Sequence, residues 1–412
     1  MTLSRNAPRR PGGHRVLIYS HDSFGLGHLR RCRAIANALV EAYEDLSVLI
    51  LSGSPIIGSF DFGDRVDFVR VPGMIKLSNG DYTSHALDLA PEHVLELRAS
   101  IIQHTAEAFD PDIFIVDKEP LGLRGEAAET LKMLKDRGAN VVLGLRDVMD
   151  DPDQLAPEWE RKKAMPALRD IYDEIWVYGL PQICDPLEGL NTPASVRRKM
   201  VYTGYLPREA SSWSGLERPS LLGDPFILVT PGGGGDGEDL VDWVLDAYET
   251  QPNMDQRAMI VFGPFMSIEK QREFRDRAEK LPNVEAITFD ANMESLVAAA
   301  SGVVAMGGYN TFCEILSFDK RAIIMPRTRP RMEQHIRASR ASALGLVGMI
   351  DGSAERDPRT MATALKQLLS QPKPSATVVP GLLDGLESVT KLVGQAFARG
   401  RSAPLKLAGS RD

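Results

Sequence analysis

Three glycine-bearing loops hold most of the side chains in this chain that could do chemistry. The first is His21-Asp22-Ser23-Phe24-Gly25-Leu26-Gly27-His28, between an apolar run and an amphipathic one. Gly25 and Gly27 permit a close backbone approach that a Cβ would block. They place His28 where a helix begins, and free N–H donors there attract an anion while a neutral imidazole can take up a proton. Arg31 completes a GxGHxxR pattern. The same residues also read as a plain tight turn with a solvated histidine. The dinucleotide fingerprint GxGxxG is absent, because its last position is Arg30.

The second loop is Thr230-Pro231-Gly232-Gly233-Gly234-Gly235-Asp236-Gly237. Consecutive glycines cost chain entropy, and the physical return for Gly233, Gly234 and Gly235 would be a backbone nest against a diphosphate. No Lys-Ser/Thr follows, so this is not a P-loop; a flexible hinge is the alternative. The third loop begins Gly307-Gly308-Tyr309-Asn310-Thr311 and continues through Glu314 to a Pro-rich turn with Arg327, Arg329, Arg331, Glu333 and Gln334. Gly307, Gly308, Asn310 and Thr311 suit a phosphate oxygen at a helix start, and Glu314 suits a vicinal diol. Arg327 and Arg331 could neutralise phosphate charge without a metal, unless they form a surface salt-bridge cluster. Glu333 and Gln334 offer partners for sugar hydroxyls. Arg337 and Arg340 read as a solvated helix face.

The elements that must carry these loops alternate. Strands are predicted at 15–20, 47–52, 66–71, 112–117, 140–145 and 174–178, and again at 226–230, 258–262, 284–289, 302–306, 321–325 and 347–350. Helices are predicted between them, including 28–42, 91–109, 125–137, 157–171, 238–250, 310–318, 331–344 and 358–369, with another at 382–398. In 28–42 the apolar residues fall at helical spacing, leaving Arg30, Arg31 and Arg33 mostly off the buried stripe. Apolar strands alternating with helices imply parallel sheets covered on both faces. The organisation expected is two doubly wound α/β domains, 14–205 and 225–398, joined by a Pro/Ser/Gly-rich linker at 206–224 and followed by a tail at 399–412. Such sheets bind ligands at the carboxyl ends of their strands, so the site is expected in the cleft between them. Asp117 ends the fourth strand there and could share the base role with His28, with Glu119 close behind it. Arg146-Asp147 follow the fifth strand; for these acids a structural salt bridge is the leading expectation. Residues 71–82 form a candidate acceptor loop.

Composition narrows the partners. Lys and Arg total 48 against 56 Asp and Glu, a net charge of −8 over 412 residues, which gives no overall field for nucleic acid. Cys32, Cys184 and Cys313 form no CxxC pair and no zinc-ligand spacing, so a reducing, cytoplasmic setting without a structural metal is expected. No signal peptide or spanning segment is evident. Arg5, Arg9, Arg10 and Arg15 could hold the chain peripherally to an anionic membrane face.

At the third loop, GGxxT with a Glu three residues on and a Pro-loop ending in Glu-Gln, the chain resembles the donor-binding half of GT-B glycosyltransferases. The resemblance is greatest to family 28, which includes the N-acetylglucosaminyltransferase of peptidoglycan precursor synthesis. It implies a GT-B fold and transfer of a hexosyl or N-acetylhexosaminyl group from a nucleotide-diphosphate sugar, UDP-sugar favoured, to an acceptor hydroxyl. The acceptor would be lipid-linked, a saccharide or a small molecule, and no cofactor is implied. It places Thr311 at the diphosphate, Glu314 on the ribose, Glu333 and Gln334 on the donor sugar, and His28 at the acceptor or diphosphate. The family usually shows a double glycine pair before that histidine. The single GxGHxxR form here, Gly25, Gly27, His28 and Arg31, is also similar to nucleotide-sugar hydrolases of the same fold. Hydrolysis, 2-epimerisation and non-catalytic nucleotide-sugar binding are therefore the alternatives to transfer. Base, sugar, acceptor and oligomeric state are not legible.

Overall fold

A computed structural model describes residues 13–21, 27–76, 82–210, 225–233, 235–290, 292–353 and 356–399. In chain order the strands of the first half are β1 (His14–Ser20), β2 (Leu46–Ser52), β3 (Val66–Arg70), β4 (Met74–Lys76), β5 (Tyr82–Ser84), β6 (Ile113–Asp117), β7 (Asn140–Arg146), β8 (Glu174–Tyr178) and β9 (Met200–Tyr202). All except the β4–β5 hairpin join one sheet in the order β3-β2-β1-β6-β7-β8-β9, with every neighbouring pair parallel. The second half adds β10 (Phe226–Thr230), β11 (Arg257–Val261), β12 (Val284–Ile287), β13 (Gly302–Ala305), β14 (Arg321–Ile324) and β15 (Gly348–Met349). These form a second parallel sheet in the order β12-β11-β10-β13-β14-β15.

Both sheets are α/β doubly wound. In each, the chain winds one way from the first strand and then reverses, so a crevice opens at the carboxyl ends of two central strands. In the first sheet those strands are β1 and β6, which end at Ser20 and Asp117; in the second they are β10 and β13, which lead into the two glycine loops. The central strands are buried along their whole length, which is why they read as unbroken apolar runs.

Several elements depart from the sequence reading. The expected helix 157–171 is two helices, Pro152–Arg161 and Ala164–Asp170, separated by Lys163 at φ 52°. Asp151 caps the first, accepting from the Asp153 N–H, with Pro152 at the first helical position. The strands β4, β5 and β9 are three residues each, too short for alternation to be recognised. Of the candidate acceptor loop 71–82, β4 and the first residue of β5 are described, paired antiparallel, and 77–81 lie outside the described residues.

The final helix, Gly385–Arg399, belongs to the second half by chain order yet packs on Gly27–Ala42 of the first. Tyr43 Oη donates to the Thr390 carbonyl at 2.9 Å, and Phe397 meets His14 edge-on at 4.4 Å. The halves also meet through Tyr205, whose ring lies 5.1 Å from Phe312 and 5.9 Å from Tyr309. The expected linker reaches the structure only as residues 206–210; its remainder, 211–224, lies outside the described residues, as do Arg5, Arg9, Arg10 and all of the expected tail beyond Arg399.

Candidate active site between the two sheets

On the first-domain side, His28 and Asp117 are hydrogen-bonded, His28 Nδ1 to Asp117 Oδ2. Asp117 ends β6 and is buried; Arg31, one turn after His28, binds it bidentately at 2.7 and 2.8 Å. A carboxylate accepts, so the tautomer that satisfies Asp117 carries its proton on Nδ1 and leaves the Nε2 lone pair as the base position. Burial pulls the His28 pKa below its ordinary value. Asp117 pulls the other way, but its charge is largely spent on Arg31, and Arg31 and Lys118 add their own opposition to an imidazolium. Burial would raise the Asp117 carboxyl; Arg31 and His28 instead hold it well below the usual range. A neutral imidazole oriented by an ionised acid is the result. A second histidine, His21, is buried beside it at a ring distance of 5.6 Å, and burial lowers its pKa to about 3.

Arg31 is only 1% exposed, contrary to its expected position off the buried stripe. The sequence did carry a signal. The helix Gly27–Ala42 opens with cations and has no acid in its first turn, an arrangement the helix dipole opposes. Carboxylates from elsewhere in the fold must offset it, and they do: Asp117 for Arg31, and Glu294 and Glu314 for Arg30.

On the second-domain side, Gly307 has φ 79°, and a Cβ there would lie 2.7 Å from Ile324; at Gly308 a Cβ would meet nothing within 4 Å. The turn therefore requires the first glycine, and the second leaves open space before the helix Tyr309–Ser317. Thr311, half-buried, follows in the first turn. Gly233 and Gly235 run against Phe265 in the neighbouring loop, where Gly263 approaches Gly232 so closely that a Cβ would sit 2.4 Å from the Gly232 carbonyl. Gly25 and Gly234 lie outside the described residues.

The remaining expected donor residues are brought to the same cleft, and most of them are paired across it. Asn310 donates to the Gly27 carbonyl at 3.1 Å and accepts from Arg208 at 3.0 Å. Glu314 is buried against Arg30, which also reaches Glu294 at 2.6 Å. Glu333 binds Arg146 of the first domain and Arg327 of its own loop at 2.9 Å; Arg327 also pairs with Asp236. Gln334 Oε1 accepts from the Arg327 N–H at 3.2 Å. Arg331 binds Asp150 at 3.0 Å and Glu158 at 2.8 Å. Burial would raise the Glu333 carboxyl, yet Arg146, Arg337 and Arg327 hold it well below the usual range. Arg327 and Arg331 are thus not bare cations in this structure; each is matched by carboxylates.

Arg337 overturns the expectation of a solvated helix face. It is 1% exposed and binds Asp147 bidentately at 2.7 Å, while Tyr205 Oη donates to the same acid at 2.7 Å. The salt-bridge role expected for Asp147 is what the structure places there. Sequence reading missed Arg30, Glu294, Asp150 and Lys118 as cleft residues. Glu119 pairs with Lys162 at 2.7 Å.

Two facing doubly wound domains with a site at both switch points define a GT-B fold. Comparison with solved structures gives the same answer. The chain is similar to CalG4, the calicheamicin glycosyltransferase, with a TM-score of 0.58 and 14% identity, over 95% of this chain and 99% of that one. It is similar to the glycotransferase of kitacinnamycin, with a TM-score of 0.57 and 15% identity, over 94% and 96%. It is also similar to MurG from Acinetobacter baumannii, with a TM-score of 0.52 and 13% identity, over 95% and 96%. Within that fold the second domain is family-28-like: residues 226–379 match the Glycosyltransferase family 28 C-terminal domain. A search of curated proteins found no match. Among the described residues no helix is long and apolar enough to cross a membrane.

Proposed function

We propose that the protein transfers a sugar from a nucleotide-diphosphate sugar, a UDP-sugar by preference, to an acceptor hydroxyl with inversion. The observation that carries this reading is the His28–Asp117 pair, set across the cleft from the Gly307–Gly308 helix start within a family-28-like domain. In the reaction, His28 Nε2 takes the acceptor O–H proton. The acceptor oxygen forms a bond to the anomeric carbon as the bond from that carbon to the phosphate oxygen breaks, and the electron pair leaves with the diphosphate. Asp117 holds the imidazole and stabilises the imidazolium. N–H groups of the glycine loops and the helix Tyr309–Ser317 receive the developing phosphate charge. Thr311 would lie at the diphosphate, Glu314 at the ribose, and Glu333 and Gln334 at the transferred sugar. The ion pairs of Glu314 and Glu333 with Arg30 and Arg146 would then exchange for substrate contacts as the domains close on it. No resident cofactor or metal takes part in this scheme.

Hydrolysis of the donor is the second reading, favoured by the GxGHxxR loop. The test is incubation with nucleotide sugars, with and without a mixed pool of sugar and lipid-linked acceptors, following nucleoside diphosphate release. Acceptor-dependent release lost in His28→Ala supports transfer; rapid stoichiometric release of free sugar without acceptor supports hydrolysis. Turnover unchanged in His28→Ala would sink the mechanism.

A further inference from the structure

Among the cations of the cleft, Lys118 stands apart. It follows Asp117 directly, at the carboxyl end of β6, with its side chain only 14% exposed. Its nearest acid, Glu119, is 3.9 Å away, beyond hydrogen-bond reach, and Glu119 is already bound by Lys162 at 2.7 Å. The other acid within its field, Glu333, is held by Arg146 and Arg327. Arg331, also within its field, has its own partners in Asp150 and Glu158. Each arginine of this cluster is hydrogen-bonded through its guanidinium to at least one carboxylate, although the Nε of Arg146 and of Arg327 has no partner, while the lysine makes no hydrogen bond through its ammonium to any described residue.

Lys118 is also held in an unfavourable backbone conformation. Its φ is 68°, the left-handed region, which costs a side-chain-bearing residue roughly 1 kcal/mol or more. Its N–H donates to the Gly144 carbonyl at 2.7 Å, which fixes that geometry. A strained backbone that carries a largely buried lysine, whose ammonium reaches its one acid only at 3.9 Å, is more than local stability requires. It follows Asp117, the partner of His28, directly in the chain, and lies within electrostatic reach of His28, His21 and Glu333.

We propose that Lys118 is the contact for an anionic oxygen of the substrate, from the donor diphosphate or from an acidic group on the transferred sugar. The inference deepens the transfer reading and rests on it. Burial first, and then Arg146, bring the ammonium pKa down to about 8. An anion would therefore bind best below that pH and lose affinity as pH rises through it. The groups facing the lysine are Glu119, Glu333, Arg146, Arg331, His21 and His28. Glu119 and Glu333, held well below the usual range, and Arg331, raised by its carboxylate partners, keep their charge across that window, and the histidines, with lowered pKa values, are already neutral.

The test is calorimetric titration of the full chain with UDP, UDP-glucose and UDP-glucuronate, in wild type, Lys118→Met and Lys118→Arg. The expected result is that Lys118→Met weakens at least one probe by about tenfold or more, the value of one charge-assisted hydrogen bond, and that Lys118→Arg restores it. Equal loss for all three probes places the anion at the diphosphate; loss confined to UDP-glucuronate places it on the sugar. The wild-type affinity should fall as pH passes 8 and that of Lys118→Arg should not, an effect a merely structural lysine would not produce. If Lys118→Met binds all three as wild type does, the proposal is overturned and the transfer reading stands. If wild type binds none of them, the uridine preference falls and the same titrations are made with the GDP and TDP counterparts; no binding there either overturns both readings. Should Lys118→Met fold poorly, the arginine variant and its flat pH profile decide the matter.

Discussion

Replacing Arg337 by Met should cost the protein about 3–5 kcal/mol, because it leaves a buried carboxylate without its cation. Arg337 and Asp147 are 1% and 0% exposed and share two hydrogen bonds of 2.7 Å. Arg337 belongs to the helix Glu333–Ala343 of the second domain, and Asp147 follows β7 of the first, so the pair joins the two halves. Asp147 would keep the Tyr205 hydroxyl as a donor, which argues for the lower end of the range, while the Gly307 carbonyl would lose the 3.0 Å bond it accepts from Arg337. Chemical denaturation followed by tryptophan fluorescence is suited to the measurement, since Trp176 is buried in the first domain and Trp243 in the second. The double variant Arg337→Met, Asp147→Leu removes both charges and should cost less than the two single changes together, with a coupling of roughly 2 kcal/mol. A loss below about 1 kcal/mol for Arg337→Met would refute the reasoning, because that is the behaviour of an exposed pair.

Asp117→Asn should reduce turnover by about a hundredfold or more, with a much smaller change in KM, since the imidazole loses the group that orients it; steady-state kinetics decides. The pH–rate profile should have its acidic limb below 6.5, because burial lowers the His28 pKa and the neutral form is the base; an acidic limb above 6.5 would contradict this. Arg30→Met should destabilise by roughly 3 kcal/mol at pH 8 and by less at pH 5. Without the cation, Glu294 and Glu314 repel, and one must take up a proton. A carboxyl whose folded-state pKa is raised gives stability at low pH that is lost as pH rises, and denaturation midpoints at the two pH values measure it.

The fold was legible because its signals are local. Buried parallel strands such as Phe226–Thr230 are unbroken apolar runs, and helices such as Pro91–Phe109 are long enough for periodicity to appear. The same rule that places ligands at strand ends found His28 and Asp117 and brought them to one cleft. Pairing across the cleft was not legible, because it depends on how two domains meet. Arg337 is spaced like a surface residue on its own helix, and only the position of Asp147 in the other domain makes it a buried one. Glu314 and Glu333 read as free acids for a ligand until Arg30, from the helix Gly27–Ala42, and Arg146, from the end of β7, arrive from the first domain. Lys118 lacked any motif; its meaning comes from a backbone angle and from the lack, among the described residues, of an acid close enough to hydrogen-bond its ammonium.

The central claim is that this cleft binds a nucleotide-diphosphate sugar. A thermal-shift series with UDP-, GDP-, TDP- and CMP-sugars tests it most directly. A ligand that binds only the folded protein and is present at a hundred times its Kd stabilises by about 2.7 kcal/mol. One nucleoside diphosphate series, UDP-sugars first, should raise the melting temperature measurably, and its effect should shrink in Glu333→Gln. A flat melting temperature with the UDP-, GDP- and TDP-sugars, or a rise with the monophosphate CMP-sugars alone, would contradict it.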